Sequence, residues 1–240
     1  MVFLVMKRIL LIAVIISFII ASCKKDNNSS TTNKEDDWIK LEIPNAREAY
    51  AVAGDIDDTL LVATWTKAYF TADRGKTWQE SKTFDTSVEG LYMSGDTVMA
   101  LMHFNDIQAD GIYKAISAQY YTLNFGKTWY TYNNRNATNI SQLIGIVQSP
   151  INKATYKLKF NTTSIPGPDI YIHHPTDILK NGNIISFPFK RRLENLYLDK
   201  ESRLYVTASG GTYNENTDTF DCCPVTTPAL IYISKKPMPQ

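Results

Sequence analysis

Cysteine and histidine are scarce, with three of each in 240 residues. That is too few for a disulfide scaffold or for a conventional structural zinc site. After residue 21 there is no apolar run approaching the ~20 residues that a membrane-spanning helix requires, and no stretch has helical periodicity. Neither sign of charge dominates, since 25 Lys+Arg stand against 24 Asp+Glu. With no basic cluster beyond Lys190-Arg191-Arg192, which reads as a solvated loop, nucleic acid is excluded as a partner. A Gly-rich phosphate loop and a G-x-S-x-G phrase are both missing. His173-His174 and Asp177 supply metal-ligand types, but adjacent residues of a strand point to opposite faces. No cofactor, no metal and no catalytic residue is therefore expected.

Aromatic residues are plentiful, with 14 Tyr, 10 Phe and 4 Trp, as suits a strand-rich fold. An eight-residue phrase occurs twice. It reads Thr71-Ala72-Asp73-Arg74-Gly75-Lys76-Thr77-Trp78, then Thr122-Leu123-Asn124-Phe125-Gly126-Lys127-Thr128-Trp129, with equivalent positions 51 residues apart. A period of that size marks a propeller or a solenoid. Within the phrase, Gly75 and Gly126 stand where the chain must reverse, often with positive φ. Thr71, Asp73, Thr122 and Asn124 carry short polar groups able to bond backbone N–H groups of a turn. Thr77 and Thr128 complete the pattern. Trp78 and Trp129 open the following strand with apolar surface that can anchor the turn. Asn124 keeps the acceptor of Asp73 without its charge, which suits a structural role.

The phrase resembles the Asp-box of the bacterial neuraminidase repeat, found in sialidases and in propellers without sialidase activity. The resemblance implies an all-β propeller with these turns on its outer rim, away from the ligand face. It implies a sialidase only if the rest of that site is present: three arginines around a carboxylate, a Tyr nucleophile with a Glu partner, and an acid. The family's Arg-Ile-Pro phrase is missing, with Glu42-Ile43-Pro44 carrying no arginine, and about 200 residues cannot supply the family's six blades. The arginines after the leader are Arg47, Arg74, Arg135, Arg191, Arg192 and Arg203, and no triad is recognisable among them.

Strand-like runs bounded by turn signals fill the chain from Trp38 onward. Segments 49–53, 59–64, 68–71 and 78–83 make one unit, and 88–93, 97–103, 112–123 and 129–132 a second. A third is less regular (140–148, 155–160, 169–173, 183–189). The fourth has 196–198, 203–207 and 229–234 and lacks an outer strand. Residues 37–43, with Trp38 in the place of Trp78 and Trp129, look like that missing strand. The expectation is four blades of about 50 residues closed by the N-terminal strand, with five blades as the alternative.

Residues 1–22 form an address. Lys7-Arg8 precedes an apolar run from Ile9 to Ala21, ending in Ile20-Ala21-Ser22-Cys23. This resembles the lipobox of bacterial lipoproteins and implies that Cys23 is lipidated. Residues 23–37 carry no apolar side chain after Cys23 and read as a tether with a reach of roughly 20 Å, leaving 38–240 as the propeller. Lys24-Lys25-Asp26 resembles tags that send some lipoproteins to the outer surface. The expected location is the bacterial outer membrane, on the periplasmic leaflet or the cell surface.

Binding is the function that remains, through inter-strand loops at 103–111, 161–168 with 174–182, and 209–228. Trp65, with Tyr69 nearby, is the candidate ligand contact, able to stack on a sugar. A glycan or an envelope protein is the expected partner of a single chain held to the membrane by its anchor, with a degenerate or active exo-sialidase as the rival. Cys222-Cys223 reads as two loop thiols, with a vicinal disulfide as the alternative.

Overall fold

The computed structural model describes residues 34–105, 112–134, 139–164, 171–185, 187–214, 216–217, 219–224 and 226–238. The leader, Cys23, most of the tether and Arg135 lie outside these residues. After a short 3-10 turn at Lys34–Asp37, the described chain is all strand and loop.

Strand β1 (Trp38–Ile43) precedes four blades. The first is β2 (Ala49–Gly54), β3 (Leu60–Thr64), β4 (Lys67–Thr71) and β5 (Gln79–Thr83), paired in sequence order. The second is β6 (Gly90–Ser94), β7 (Thr97–Phe104) and β8 (Tyr113–Thr122). Its outer strand is split, because β9 (Tyr130–Thr131) and β10 (Gln142–Ile144) both pair with β8. The third is β11 (Ile146–Gln148), β12 (Thr155–Ser164), β13 (Tyr171–Lys180) and β14 (Asn183–Ile185). The fourth is β15 (Leu193–Leu198), β16 (Leu204–Ala208) and β19 (Ala229–Ser234), and the small hairpin of β17 (Thr212–Asn214) and β18 (Thr219–Asp221) interrupts it. Its fourth strand is β1, antiparallel to β19 from Trp38↔Ser234 to Ile43↔Ala229. The molecule is a four-bladed β-propeller closed by its N-terminal strand, and the five-bladed alternative falls away.

Two sequence expectations in the third blade are corrected. Residues 161–164 and 174–180 are not loop, since β12 runs on to Ser164 and β13 to Lys180, paired from Tyr156↔Lys180 to Ser164↔Tyr171. Pro175 stands within this strand, a position usually unfavourable for proline. It is tolerated beside a register shift between Lys159 and Phe160, where the ladder is already broken. Segment 140–148 is two strands turned about Gly145 (φ 78), β10 serving the second blade and β11 the third.

The first strands of the blades meet around the axis, with β2 against β6 and β15, and β11 against β15. Crowding there selects small side chains, and Ala49, Ala51 and Ala53 of β2 are fully buried. Apolar side chains pack between blades. Leu61, Ala63, Leu91 and Val98 join blades one and two; Tyr156, Leu158, Leu196 and Val206 join three and four. Leu41, Ile43, Ile231, Val52 and Val62 join the closing sheet to blade one.

Strand register defines two faces. In blade one, Leu60 pairs with both Gly54 and Thr71, so turn 55–59 and turn 72–78 share one end. Ala49↔Thr64 and Lys67↔Thr83 place turn 65–66 and the chain on either side of the blade at the other end, here called the loop face. On the turn face, Arg203 locks blade four to blade one. Its Nε donates to Asp199 Oδ2 (2.7 Å) and its Nη2 to Asp55 Oδ1 (2.7 Å), with side chains 9 %, 0 % and 9 % exposed. Tyr205 OH donates to Asp199 Oδ2 and accepts from the Ile56 N–H.

Candidate functional site

The two repeated turns stand on the turn face and share one hydrogen-bond plan. Thr71 Oγ1 accepts from the Asp73 and Gly75 N–H groups (3.3 and 3.0 Å) and donates to Asp73 Oδ1 (2.8 Å). Asp73 accepts from the Thr77 N–H at 2.9 Å and the Thr77 hydroxyl at 2.6 Å. The Thr77 hydroxyl and N–H, then the Thr71 hydroxyl, pull its carboxyl down to about 2. In the second turn Thr122 Oγ1 accepts from Gly126 N–H (2.9 Å), and Asn124 Oδ1 accepts from Thr128 N–H (2.8 Å). Two consecutive residues are left-handed in each turn, Arg74 and Gly75 (φ 64 and 80) and Phe125 and Gly126 (φ 50 and 89). Trp78 and Trp129 lie half-buried beneath the turns. The side chains of Thr71, Asp73 and Thr77, and of Thr122, Asn124 and Thr128, bond within their own turns, on the end of the blades opposite the loop face.

Trp65 and Tyr69 line one groove. A groove of about 380 Å³ on the loop face is lined by both, with Arg47, Glu48, Tyr50 and Lys67. The β3–β4 turn presents Trp65, which is 63 % exposed. Two backbone bonds hold that turn: Phe84 N–H to Thr66 O at 2.8 Å, and Val88 N–H to Trp65 O at 2.8 Å. Tyr69 follows on β4. Arg47 and Glu48 come from the segment just before β2, where Arg47 N–H donates to Thr227 O and Glu48 bridges Ser209. Lys67 is paired with Glu80 at 2.7 Å. Among the described residues the buried Nε of Arg47 has no hydrogen-bond partner.

From the groove a polar chain runs across the loop face toward blade four. Tyr50 OH donates to Glu48 Oε2 at 2.6 Å. Arg192 stands 4.0 Å from Glu48 Oε1 and 3.1 Å from Glu194 Oε1. The Glu194 side chain is only 8 % exposed. Burial pushes its carboxyl up to about 8, with Arg192 opposing and Glu48 and Glu89 adding to the shift. Burial, then the bond to Glu48 and the nearby carboxylates, carry the Tyr50 phenol well above the ordinary tyrosine value. Tyr113 is raised by burial and by Glu194 and Glu89. Burial thus favours the protonated forms of Tyr50, Tyr113 and Glu194, which gives this part of the loop face a hydrogen-bonding surface.

These residues were not singled out from the sequence. A signal existed, because Glu48 and Glu89 each stand immediately before an inner strand, β2 and β6, and Arg192 immediately precedes β15. Arg47, Arg191 and Arg192 all border Ser209–Gly210 on the loop face, where the Gly210 N–H donates to Arg47 O and the Ser209 N–H to Arg192 O. Arg191 is spent on the carbonyls of Gly210 and Gly211 (2.8 and 3.0 Å), while Arg74 and Arg203 lie on the turn face with Asp57. The backbones of His173 and His174 pair with Thr162 and Asn161 in the third blade.

Cys222 and Cys223 are joined in a vicinal disulfide, contrary to the preferred reading of two loop thiols. That reading rested on the short spacing of neighbouring Cα atoms relative to usual disulfides. The pair lies outside any strand, where its side chains are free of strand alternation and meet.

No family model and no curated protein matches the chain. Solved structures do. The extracellular domain of a one-component system from B. thetaiotaomicron is 14% identical, with 72% of this chain and 22% of that chain covered and a TM-score of 0.27. This chain therefore spans about a fifth of the length of that protein. YCF48 bound to D1 peptide is 14% identical over 78% of this chain and 71% of that chain, TM-score 0.27. YCF48 from Cyanidioschyzon merolae is 15% identical over 77% and 74%, TM-score 0.26.

Proposed function

We propose that this chain is a lipid-anchored protein of the bacterial cell envelope whose propeller binds a glycan without transforming it. The observation that carries the reading is the exposed Trp65 beside Tyr69, in a groove that also offers Arg47, Glu48, Tyr50 and Lys67. Sugars present an apolar C–H face and a rim of hydroxyls. An indole platform flanked by charged hydrogen-bonding groups complements both. The Cys23 lipobox and the polar tether supply the anchoring half of the proposal. A glycan array probed with the purified chain, alongside Trp65→Ala, tests the binding half. The variant is expected to lose binding by about tenfold or more, equivalent to stacking of 1–3 kcal/mol on an aromatic ring. Equal binding by the two proteins would sink the groove as the site.

A hydrolase of the sialidase type is the second reading, favoured by the 2.6 Å contact between Tyr50 and Glu48. Against it stand the raised Tyr50 phenol and the engagement of Arg191 with the Gly210 and Gly211 carbonyls. Turnover of a fluorogenic sialoside, abolished by Tyr50→Phe, would establish this reading over the first.

A further inference from the structure

The vicinal disulfide closes no chain. A disulfide stabilises a fold mainly by restraining the segment between its ends, and here that segment has no length. Its presence calls for a local reason. Cys222 is exposed and Cys223 is 9 % exposed, so the bond is within reach of a reductant. Oxygen donors surround it. Ser209 Oγ lies 3.3 Å from Cys223 Sγ and 4.0 Å from Cys222 Sγ, and Glu48 Oε1 lies 3.9 Å from Cys222 Sγ. The two sulfurs and a Glu48 carboxylate oxygen all fall within 4.8 Å of one another.

We propose that reduction of Cys222–Cys223 opens a site for a thiophilic divalent cation such as Zn²⁺, with both thiolates and Glu48 as ligands. In a tetrahedral zinc site, Zn–S of about 2.3 Å and Zn–O of about 2.0–2.2 Å place ligand atoms roughly 3.5–3.8 Å apart. The Glu48 oxygen already stands near that distance from Cys222 Sγ. Only the sulfur–sulfur separation has to widen, and breaking the bond allows it.

Glu48 is held in place from two sides. Its carboxylate accepts from Tyr50 OH, and its backbone bridges Ser209. Ser209 or a water would complete four-coordination. Arg192, 4.0 Å from Glu48 Oε1, already offsets the carboxylate. The oxidised site therefore has little pull on a hard cation, and selectivity falls to metals that prefer sulfur.

The chemistry balances. A dithiol reductant is oxidised to its own disulfide, while the pair gains two electrons and two protons. Zinc then binds the two thiolates, and the two thiol protons are released to solvent. Glu48 also lines the Trp65 groove, and a cation held at its Oε1 leaves Oε2 to accept from Tyr50.

The test is a zinc titration of the purified full chain in detergent, against a chromogenic chelator. Samples are taken as isolated and after reduction with a phosphine that is then removed. Thiols are counted first. The as-isolated chain is expected to show no thiol from this pair, and reduction is expected to add two. Reduced protein should then bind one Zn²⁺ more tightly than oxidised protein by about two orders of magnitude. Millimolar Mg²⁺ or Ca²⁺ should not compete. Glu48→Gln should weaken binding about tenfold. Cys222→Ser, and separately Cys222→Ser with Cys223→Ser, should abolish the response to reduction, with near-UV circular dichroism confirming that each variant is folded. Reduced wild type binding no better than the double variant would overturn the site. Two free thiols in the as-isolated chain would overturn the redox gating, and unchanged affinity in Glu48→Gln would remove Glu48 from the ligand set.

Discussion

Trp129 Nε1 donates to Ser81 Oγ at 2.6 Å, and Ser81 in turn donates to the Gly126 carbonyl. One hydroxyl on the outer strand of blade one thus fastens the repeated turn of blade two. The same place one junction earlier is taken by Leu41, against which Gly75 packs, and the Trp78 Nε1 there is buried without a partner. The repeat therefore joins neighbouring blades by two chemistries, a polar latch at one junction and an apolar contact at the other. Ser81→Ala should leave the half-buried Trp129 indole N–H without its acceptor and lower stability by about 1 kcal/mol. For a domain of this size that is roughly 2–4 °C of melting temperature per kcal/mol. Chemical denaturation would decide, and a change within about 0.5 kcal/mol, the usual range of surface substitutions, would show that the latch is not made.

Gly75 and Gly126 combine left-handed backbone with close neighbours. A Cβ at Gly75 would lie 2.7 Å from Leu41 Cδ2, and one at Gly126 would lie 2.6 Å from Leu61 Cδ1. Gly95 also has positive φ (58), but nothing stands within 4 Å of its Cβ position. Gly95→Ala should cost only backbone strain, about 1–2 kcal/mol. Gly75→Ala and Gly126→Ala should each add a packing penalty of about 1–3 kcal/mol. Equal losses at all three positions, measured by urea unfolding, would mean that the turns do not press on the preceding blade.

The turns and the ring closure were legible in the sequence because they are local. Eight residues contain a whole turn, and Trp38 announces the third, split copy by position alone. The loop-face site was legible only at Trp65 and Tyr69, two residues of one turn and the strand after it. Glu48, Tyr50, Arg192 and Glu194 belong to different blades and meet only when the ring closes, so no spacing along the chain links them. The Arg203 cluster was hidden for the same reason, with Asp55 148 residues away. In the third blade Pro175 stands beside Thr176, the residue skipped between the pairs Lys159↔Asp177 and Phe160↔Pro175, an irregularity that appears only once the two strands are paired.

Arg203 serves two buried carboxylates, and its loss should be felt as uncompensated charge. Arg203→Met leaves Asp199 without a cation and Asp55 with only the exposed Lys200 at 3.4 Å, and about 3–5 kcal/mol of stability should disappear. Arg203→Lys keeps the charge but cannot supply the three directed bonds of the guanidinium, and an intermediate loss is expected. If the lysine variant melts with the wild type, the fork geometry is irrelevant.

Glu194 gives the protein an unusual pH dependence. Its folded carboxyl titrates at about 8 because it is buried, with Glu48 and Glu89 adding to the effect and Arg192 opposing it, whereas an ordinary glutamate titrates near 4.5. Between those values the folded chain holds a proton that the unfolded chain has released. Stability from this group is therefore complete below about 4.5 and falls as pH rises through about 8, the reverse of an ion-paired carboxylate. Glu194→Gln has no proton to lose and nearly the same shape. Thermal melts at pH 5, 7 and 9 should show the two proteins close together at pH 5. By pH 9 the variant should be ahead by about 1–3 kcal/mol, a discounted share of the full linkage that leaves room for relaxation around Arg192. All other carboxylates are common to both proteins and cancel in the difference. Parallel curves would mean that Glu194 is ionised in the fold throughout, held by Arg192 against its burial.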